Sequence, residues 1–205
     1  SQHDFTTLTL PDRWWKWRMR HAPVTFARRA AELVTAGDEW DVLFCTDRLN
    51  LAEFRGLCPL SVAALPSVVY FHENQLTYPL PEDRQRDMTY AYINYLSALA
   101  ADGLVFNSAF HKDEFFGALP DLLRRFPDYT HVGTLPRLRE KSQVLHLGLN
   151  LAGLDAVRPQ AEAQRAKEPG PLILLWNHRW EYDKNPEGFF RVVNRLDDAG
   201  VPFRL

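Results

Sequence analysis

The sharpest chemical feature of the sequence is His72-Glu73-Asn74-Gln75, which follows the apolar run Ser67–Phe71 (SVVYF) without a break. Histidine can donate to a hydroxyl or accept from one, and Glu and Asn can grip the vicinal hydroxyls of a sugar. The alternative is a loop whose polar groups cap neighbouring helices. A zinc reading needs HExxH on a helix, and this run does not have that pattern. A second feature lies in Leu175–Phe190, where His178, Arg179 and Lys184 precede Asn185-Pro186, a favoured helix opening. Cations beside a helix N-terminus suit a diphosphate. They could equally pair with Glu181 and Asp183 at the surface. No Gly-rich Walker or dinucleotide loop accompanies them. A third feature is Thr9–Arg20, where Trp14, Trp15 and Trp17 interleave with Arg13, Lys16, Arg18 and Arg20. Such a mixture can stack on a base or sugar and contact phosphate, or it can divide into core tryptophans and solvated cations. In the fourth, Phe106–Phe116, Asn107 and Ser108 sit at a strand-to-helix turn, placed to touch a ligand or to cap the helix. Asp197-Asp198 falls late in a helix, unlike a metal-binding DxD after a strand, and no metal site is expected.

Placing these groups requires alternating strands and helices. Strands are expected at Phe5–Leu10, Asp41–Cys45, Ser67–Phe71, Gly103–Asn107, Ser142–Leu147, Leu172–Trp176 and Val201–Leu205. Helices are expected at Val24–Ala36, with Gly37 as the stop, and from about Glu82 to Ala101. In the second of these, Met88, Tyr92, Tyr95 and Leu99 share one face. Another begins after Ser108. A last one opens at Asn185-Pro186, buries Phe189, Val193 and Leu196, and ends at Gly200. This alternation points to an α/β, doubly wound parallel-sheet architecture. Texture changes over Asn150–Gly170, which is polar, Ala-rich and broken by Pro159 and Pro169. The expected organisation is a first Rossmann-like domain over 1–150, a linker over 151–170 and the opening of a second such domain over 171–205. Ligands of open α/β sheets bind beyond the carboxyl ends of the strands.

At 205 residues, 46% hydrophobic and 13% aromatic, the chain has ample material for a core. A net charge of −2 does not announce a nucleic-acid binder, although a local basic patch is compatible with it. Cys45 and Cys58 form no CxxC pair and read as two buried thiols in a reducing, cytoplasmic setting. No apolar run of about 18 residues suggests a membrane span.

Taken together, TLPDRWWKWRMR, LNLAEFRGL (Leu49–Leu57), YFHENQLTYP, FNSAFHKDEFF and LWNHRWEYDKNP, in that order, resemble the tRNA-queuosine mannosyltransferase family. The resemblance covers nearly the whole chain and is weakest over Gln160–Glu168. It implies a two-domain GT-B fold with a glycosyltransferase family-four-like first domain. It also implies transfer of mannose from GDP-mannose to queuosine in a tRNA anticodon, with retention of configuration. It places His72 at the sugar, with Glu73 as the second catalytic candidate. Asn74, Gln75, Asn107 and Ser108 become candidate substrate or acceptor contacts, and Trp15, Trp17 and Arg18 candidate tRNA contacts. Arg179 and Lys184 match the cations that hold the donor diphosphate. The family's first strand, with its Gly-rich turn and Ser-His pair, would precede Ser1, and most of the donor domain would follow Leu205. The chain alone is therefore expected to be inactive. Two other functions fit the residues: a retaining GT-B transferase acting on a lipid, glycan or small molecule, and a non-catalytic RNA-binding module.

Overall fold

The computed structural model describes residues 3–81, 83–167 and 170–205. The chain divides into two compact units, one of Ser1–Tyr78 with Arg86–Leu147, the other of Pro79–Gln85 with Gly148–Leu205.

The first unit is built on four parallel strands, β1 (Leu43–Thr46), β2 (Ser67–Phe71), β3 (Gly103–Phe106) and β4 (Ser142–Val144), paired in chain order. Helix α1 (Trp15–Ala36) precedes β1. The connections carry α2 (Leu51–Leu57) and α3 (Leu60–Ala63), then α4 (Met88–Ala100), then α5 (Ala109–Leu123) and α6 (Leu135–Glu140). Parallel strands demand such crossovers, because a tight hairpin cannot return the chain in the same direction. One sheet face buries Cys45, Val69, Phe71, Leu104 and Phe106 under helix residues such as Leu51, Phe54, Ala91, Tyr95, Phe115 and Leu119. On the opposite face Val68 and Val105 are half-buried, and Phe44 is 60% exposed.

Local chemistry accounts for several boundaries. Gly37 ends α1 at φ 98°, a left-handed conformation that glycine adopts without a Cβ penalty. Asp87 opens α4 by accepting the Thr89 N–H, and Ser108 opens α5 by accepting the His111 N–H. Removing that hydroxyl leaves an N–H of the first turn unpaired, so Ser108→Ala should cost about 1 kcal/mol, read as a lower urea midpoint at unchanged slope.

The structure corrects several expectations. Phe5–Leu10 is not a strand. Among the described residues it shares a ladder with no other segment, and it is tied down instead by Trp40 Nε1 donating to Thr6 Oγ1 and Arg29 donating to the Thr9 carbonyl. Helix α1 starts at Trp15 rather than Val24 and runs through Pro23. Its packing against α2 sustains it where one backbone N–H is missing. Helix α4 starts at Met88; the expected start, Glu82, lies outside the described residues. Its buried stripe is Ala91, Asn94, Tyr95 and Ala98, whereas Tyr92 and Leu99 are exposed. Small residues on that stripe let the helix lie close to its neighbours. β4 stops at Val144, and Leu145 and Leu147 are exposed. Cys45 is buried, and burial pushes its thiol up to about 12, but Cys58 is only half-buried.

In the second unit, residues 152–167 of the expected linker form a 16-residue helix, α7 (Ala152–Lys167), with Pro159 inside it. The apolar run that follows yields only a two-residue strand, β5 (Leu172–Ile173), paired in parallel with β6 (Phe203–Arg204). Both β5 residues are exposed, and the strand is shorter than the five-residue apolar strand expected. Helix α8 (Pro186–Asp198) begins as anticipated. The Asn185 side chain accepts the Gly188 N–H, and a Cβ on Gly188 would collide with it. Val193 is buried, Phe189 and Leu196 are half-buried, and Gly200 follows at φ 67°. Among the described residues no helix is long and apolar enough to cross a membrane.

Candidate active site

The carboxyl ends of the first unit's parallel strands converge on one set of polar groups. β1 delivers Asp47 and Arg48, β2 delivers His72 and Glu73, β3 delivers Asn107, and His146 lies two residues beyond β4. Asp47 is 1% exposed. Its Oδ1 accepts the His72 backbone N–H at 3.1 Å and lies 3.5 Å from His72 Nδ1. Asn107 Nδ2 donates to the His72 carbonyl at 2.7 Å, and His146 Nδ1 lies 3.0 Å from the Asn107 carbonyl. The His72 ring packs on Tyr70, with centroids 4.6 Å apart, and the Tyr70 hydroxyl donates to the Leu145 carbonyl. Backbone and side chain of His72 are thus held by three strand ends.

Glu73 forms an ion pair with Arg48 and accepts from Gln75 Nε2 at 3.0 Å. The Arg48 guanidinium also lies over the Trp15 ring, 5.0 Å from its centroid, and Trp15 packs on Tyr90 at 5.1 Å. The amino end of α1 is in this way joined to the strand ends by one aromatic–cation contact. Underneath, Asn94 of α4 is fully buried; it accepts the Gln75 N–H at 2.7 Å and donates to the Asp47 carbonyl at 2.9 Å. It fastens the loop after β1 to the loop after β2.

These partners set the charges. The hydrogen bond to Asp47 raises the His72 pKa above its ordinary value, against the opposing effect of burial. Burial raises that of Glu73, opposed by Arg48. His111, one turn into α5, is pushed down by burial. Its Nδ1 lies 3.0 Å from Asn107 Oδ1, and its Nε2 is buried with no hydrogen-bond partner among the described residues. Because His72 titrates higher folded than unfolded, the Asp47–His72 contact stabilises fully below about pH 6.5, the ordinary histidine value. That contribution is lost as pH rises through the raised value.

The residues singled out from the sequence have different fates. His72, Glu73, Gln75 and Asn107 come together. Asn74 is buried, and its side chain accepts the Leu76 and Thr77 N–H groups, so it shapes the turn instead of facing a ligand. Ser108 is committed to its cap. Trp15 is half covered by Arg48 and Tyr90, whereas Trp17 is 60% exposed beside His21. Arg18 donates to the Pro11 carbonyl and lies 3.0 Å from His21. Arg179 and Lys184 belong to the second unit, where Arg179 pairs with Glu181 at 3.2 Å and Lys184 with Asp183 at 2.6 Å. Asp47, Arg48, Asn94, His111 and His146 went unnoticed in the sequence. A signal existed for two of them. Asp47 follows an apolar run just as His72 does, and His111 falls four residues after Asn107, one helical turn.

Comparison with known proteins bears on what this arrangement belongs to. No solved structure matches the chain. A curated relative, tRNA-queuosine alpha-mannosyltransferase of Drosophila melanogaster, is 34% identical over 204 residues, covering 98% of this chain and 53% of the relative. The chain therefore spans about half the length of that relative. The family described as tRNA-queuosine alpha-mannosyltransferase N-terminal matches residues 1–149, the stretch that supplies every group at the strand ends, and the chain belongs to that family.

Proposed function

We propose that the full-length protein is a retaining glycosyltransferase of GT-B architecture that moves a hexose, mannose from GDP-mannose, onto queuosine in a tRNA anticodon. The observation that carries this reading is the cluster of Asp47, His72, Glu73 and Asn107 at the carboxyl ends of parallel strands, in a chain so similar to the Drosophila enzyme. Residues 1–150 form the acceptor-side domain, 151–170 the connection and 171–205 the opening of the donor domain.

His72 binds the sugar, and Glu73 and Gln75 line the same place. Arg179 and Lys184 take the donor diphosphate, exchanging their present carboxylate partners for phosphate. Neutralisation by these two cations of the negative charge developing on the departing diphosphate supplies the electrostatic part of catalysis. In the transfer, the anomeric C–O bond to the diphosphate breaks. A bond to a cyclopentenediol hydroxyl forms on the same face, and the hydroxyl proton passes to the departing phosphate oxygen as GDP leaves. Trp15, Trp17 and Arg18 on α1 contact the tRNA, with exposed Trp17 offered to an unstacked base.

The full-length protein incubated with queuosine-containing tRNA and GDP-mannose should add one hexose to queuosine, read by mass spectrometry of the digested nucleosides. Addition from another nucleotide sugar alone would change the donor and keep the mechanism. No transfer to tRNA from any donor would overturn the queuosine assignment and favour a transferase with a lipid, glycan or small-molecule acceptor. Salt-dependent RNA binding with no nucleotide-sugar affinity would make the protein an RNA-binding module.

A further inference from the structure

We propose that Asp47 is a positioning residue of this site, gripping His72 at its backbone N–H and at Nδ1 so that Nε2 is the ring nitrogen presented to the substrate. This inference rests on the reading of His72 as a sugar contact.

Asp47 is buried almost completely, and a buried carboxylate is expensive unless it is paired and hydrogen-bonded. Its compensation is one-sided. Oδ1 has the His72 N–H and faces Nδ1, whereas Oδ2 is buried with no hydrogen-bond partner, 3.9 Å from Arg48 Nε. A residue needed only to hold the loop could be Asn, whose carbonyl accepts the same backbone N–H without bringing a charge indoors. What the charge adds is a hold on a proton at Nδ1. With Nδ1–H turned to Asp47, Nε2 carries no protein hydrogen bond among the described residues. The half-exposed imidazole then meets a hydroxyl or phosphate oxygen with a ring fixed in both direction and tautomer.

The charged and titratable groups around His72 come from every element beside it. Asp47 and Glu73 favour its protonated form, while Arg48 and burial oppose it. His111 of α5 has its pKa lowered chiefly by burial, with a smaller lowering by the charge of His72. Tyr70 lies under the ring, and Asn107 holds the His72 carbonyl. Of these, Asp47 alone contacts both the backbone nitrogen and a ring nitrogen, Nδ1, of His72.

The test uses the full-length protein and two readouts. The His72 imidazole is followed by NMR through a pH titration, its resonance assigned by loss in His72→Ala. Transfer from GDP-mannose is measured alongside. Asp47→Asn keeps the backbone contact and removes the charge. It should lower the His72 midpoint and reduce kcat about 10- to 100-fold, the range for losing the partner that orients a metal-bound histidine, with a smaller change in KM. If Asp47→Asn does not fold, Asp47→Ser removes the charge with less bulk and is read in the same way. A His72 midpoint unmoved by loss of the charge overturns the grip. Undiminished transfer by His72→Ala is a different result: it overturns the functional reading on which the inference rests, even if the midpoint shifts.

Discussion

Phe106→Ala should destabilise the first unit by about 3–5 kcal/mol, as expected for a buried Phe truncated in a packed core. Phe106 is fully buried. Its ring stacks on Phe71 at 4.9 Å with planes 8° apart, and packs against Phe115 at 5.4 Å and Phe116 at 5.9 Å. Those three rings sit on β2 and α5, so they cannot close a gap without shifting backbone. The cost is therefore transfer plus cavity. Urea denaturation followed by tryptophan fluorescence checks it, with Phe44→Ala as the control, since Phe44 is 60% exposed. Equal midpoints for the two variants would place the core elsewhere. Because Asn107 follows Phe106 directly, the variant should also loosen the Asn107–His72 carbonyl bond.

The other large effect is on activity. In the full-length protein, His72→Ala should lower kcat about 10²- to 10³-fold, the range for removing one preorganised donor at a reacting centre. The fold should survive with a modest loss of stability: Asp47 loses its ring partner but keeps the backbone N–H of residue 72, the side chain is half-exposed, and the neighbouring turn is held by Asn74 and Asn94. The hexose-transfer assay reads the rate, and thermal unfolding reads the fold. A variant that melts early and loses activity in proportion would show a structural role only. One that melts normally and turns over normally would remove His72 from the chemistry.

How far the sequence disclosed these features depended on the range of the interaction involved. Gly37, Ser108 and Asn185-Pro186 act within one helical turn, and their roles could be read from neighbouring residues. SVVYF announced β2 because an apolar β-branched run followed by polar residues has few other uses. The buried face of α4 was misjudged because Tyr92 and Leu99 carry more hydrophobic weight than Ala91 and Ala98. Close packing selected the small residues. Asp47 was missed for another reason. Its importance arises from the parallel pairing of β1 with β2, in which Thr46 lies opposite Tyr70, bringing the residues after each strand side by side. Strand pairing is a tertiary fact that spacing along the chain does not encode. Arg48 and Trp15 are likewise neighbours only because α1 reaches back over the strand ends.

The order of the sheet has a consequence for how the protein is made. Among the described strands of the first unit, β2, β3 and β4 each pair with the one synthesised just before it. A ribosome delivering the chain from its amino end thus presents each new strand to a partner already outside the exit tunnel. None of these described strands must wait for a later one to be inserted beside it. Growth in this order adds each strand at one side of the sheet, so that among the described strands only two edges are open at a time, that of β1 and that of the newest strand, which limits the β-surface through which nascent chains aggregate. The partners of the His72 site leave the ribosome in the same order, Asp47 first, then His72, then Asn107, so each meets groups already synthesised.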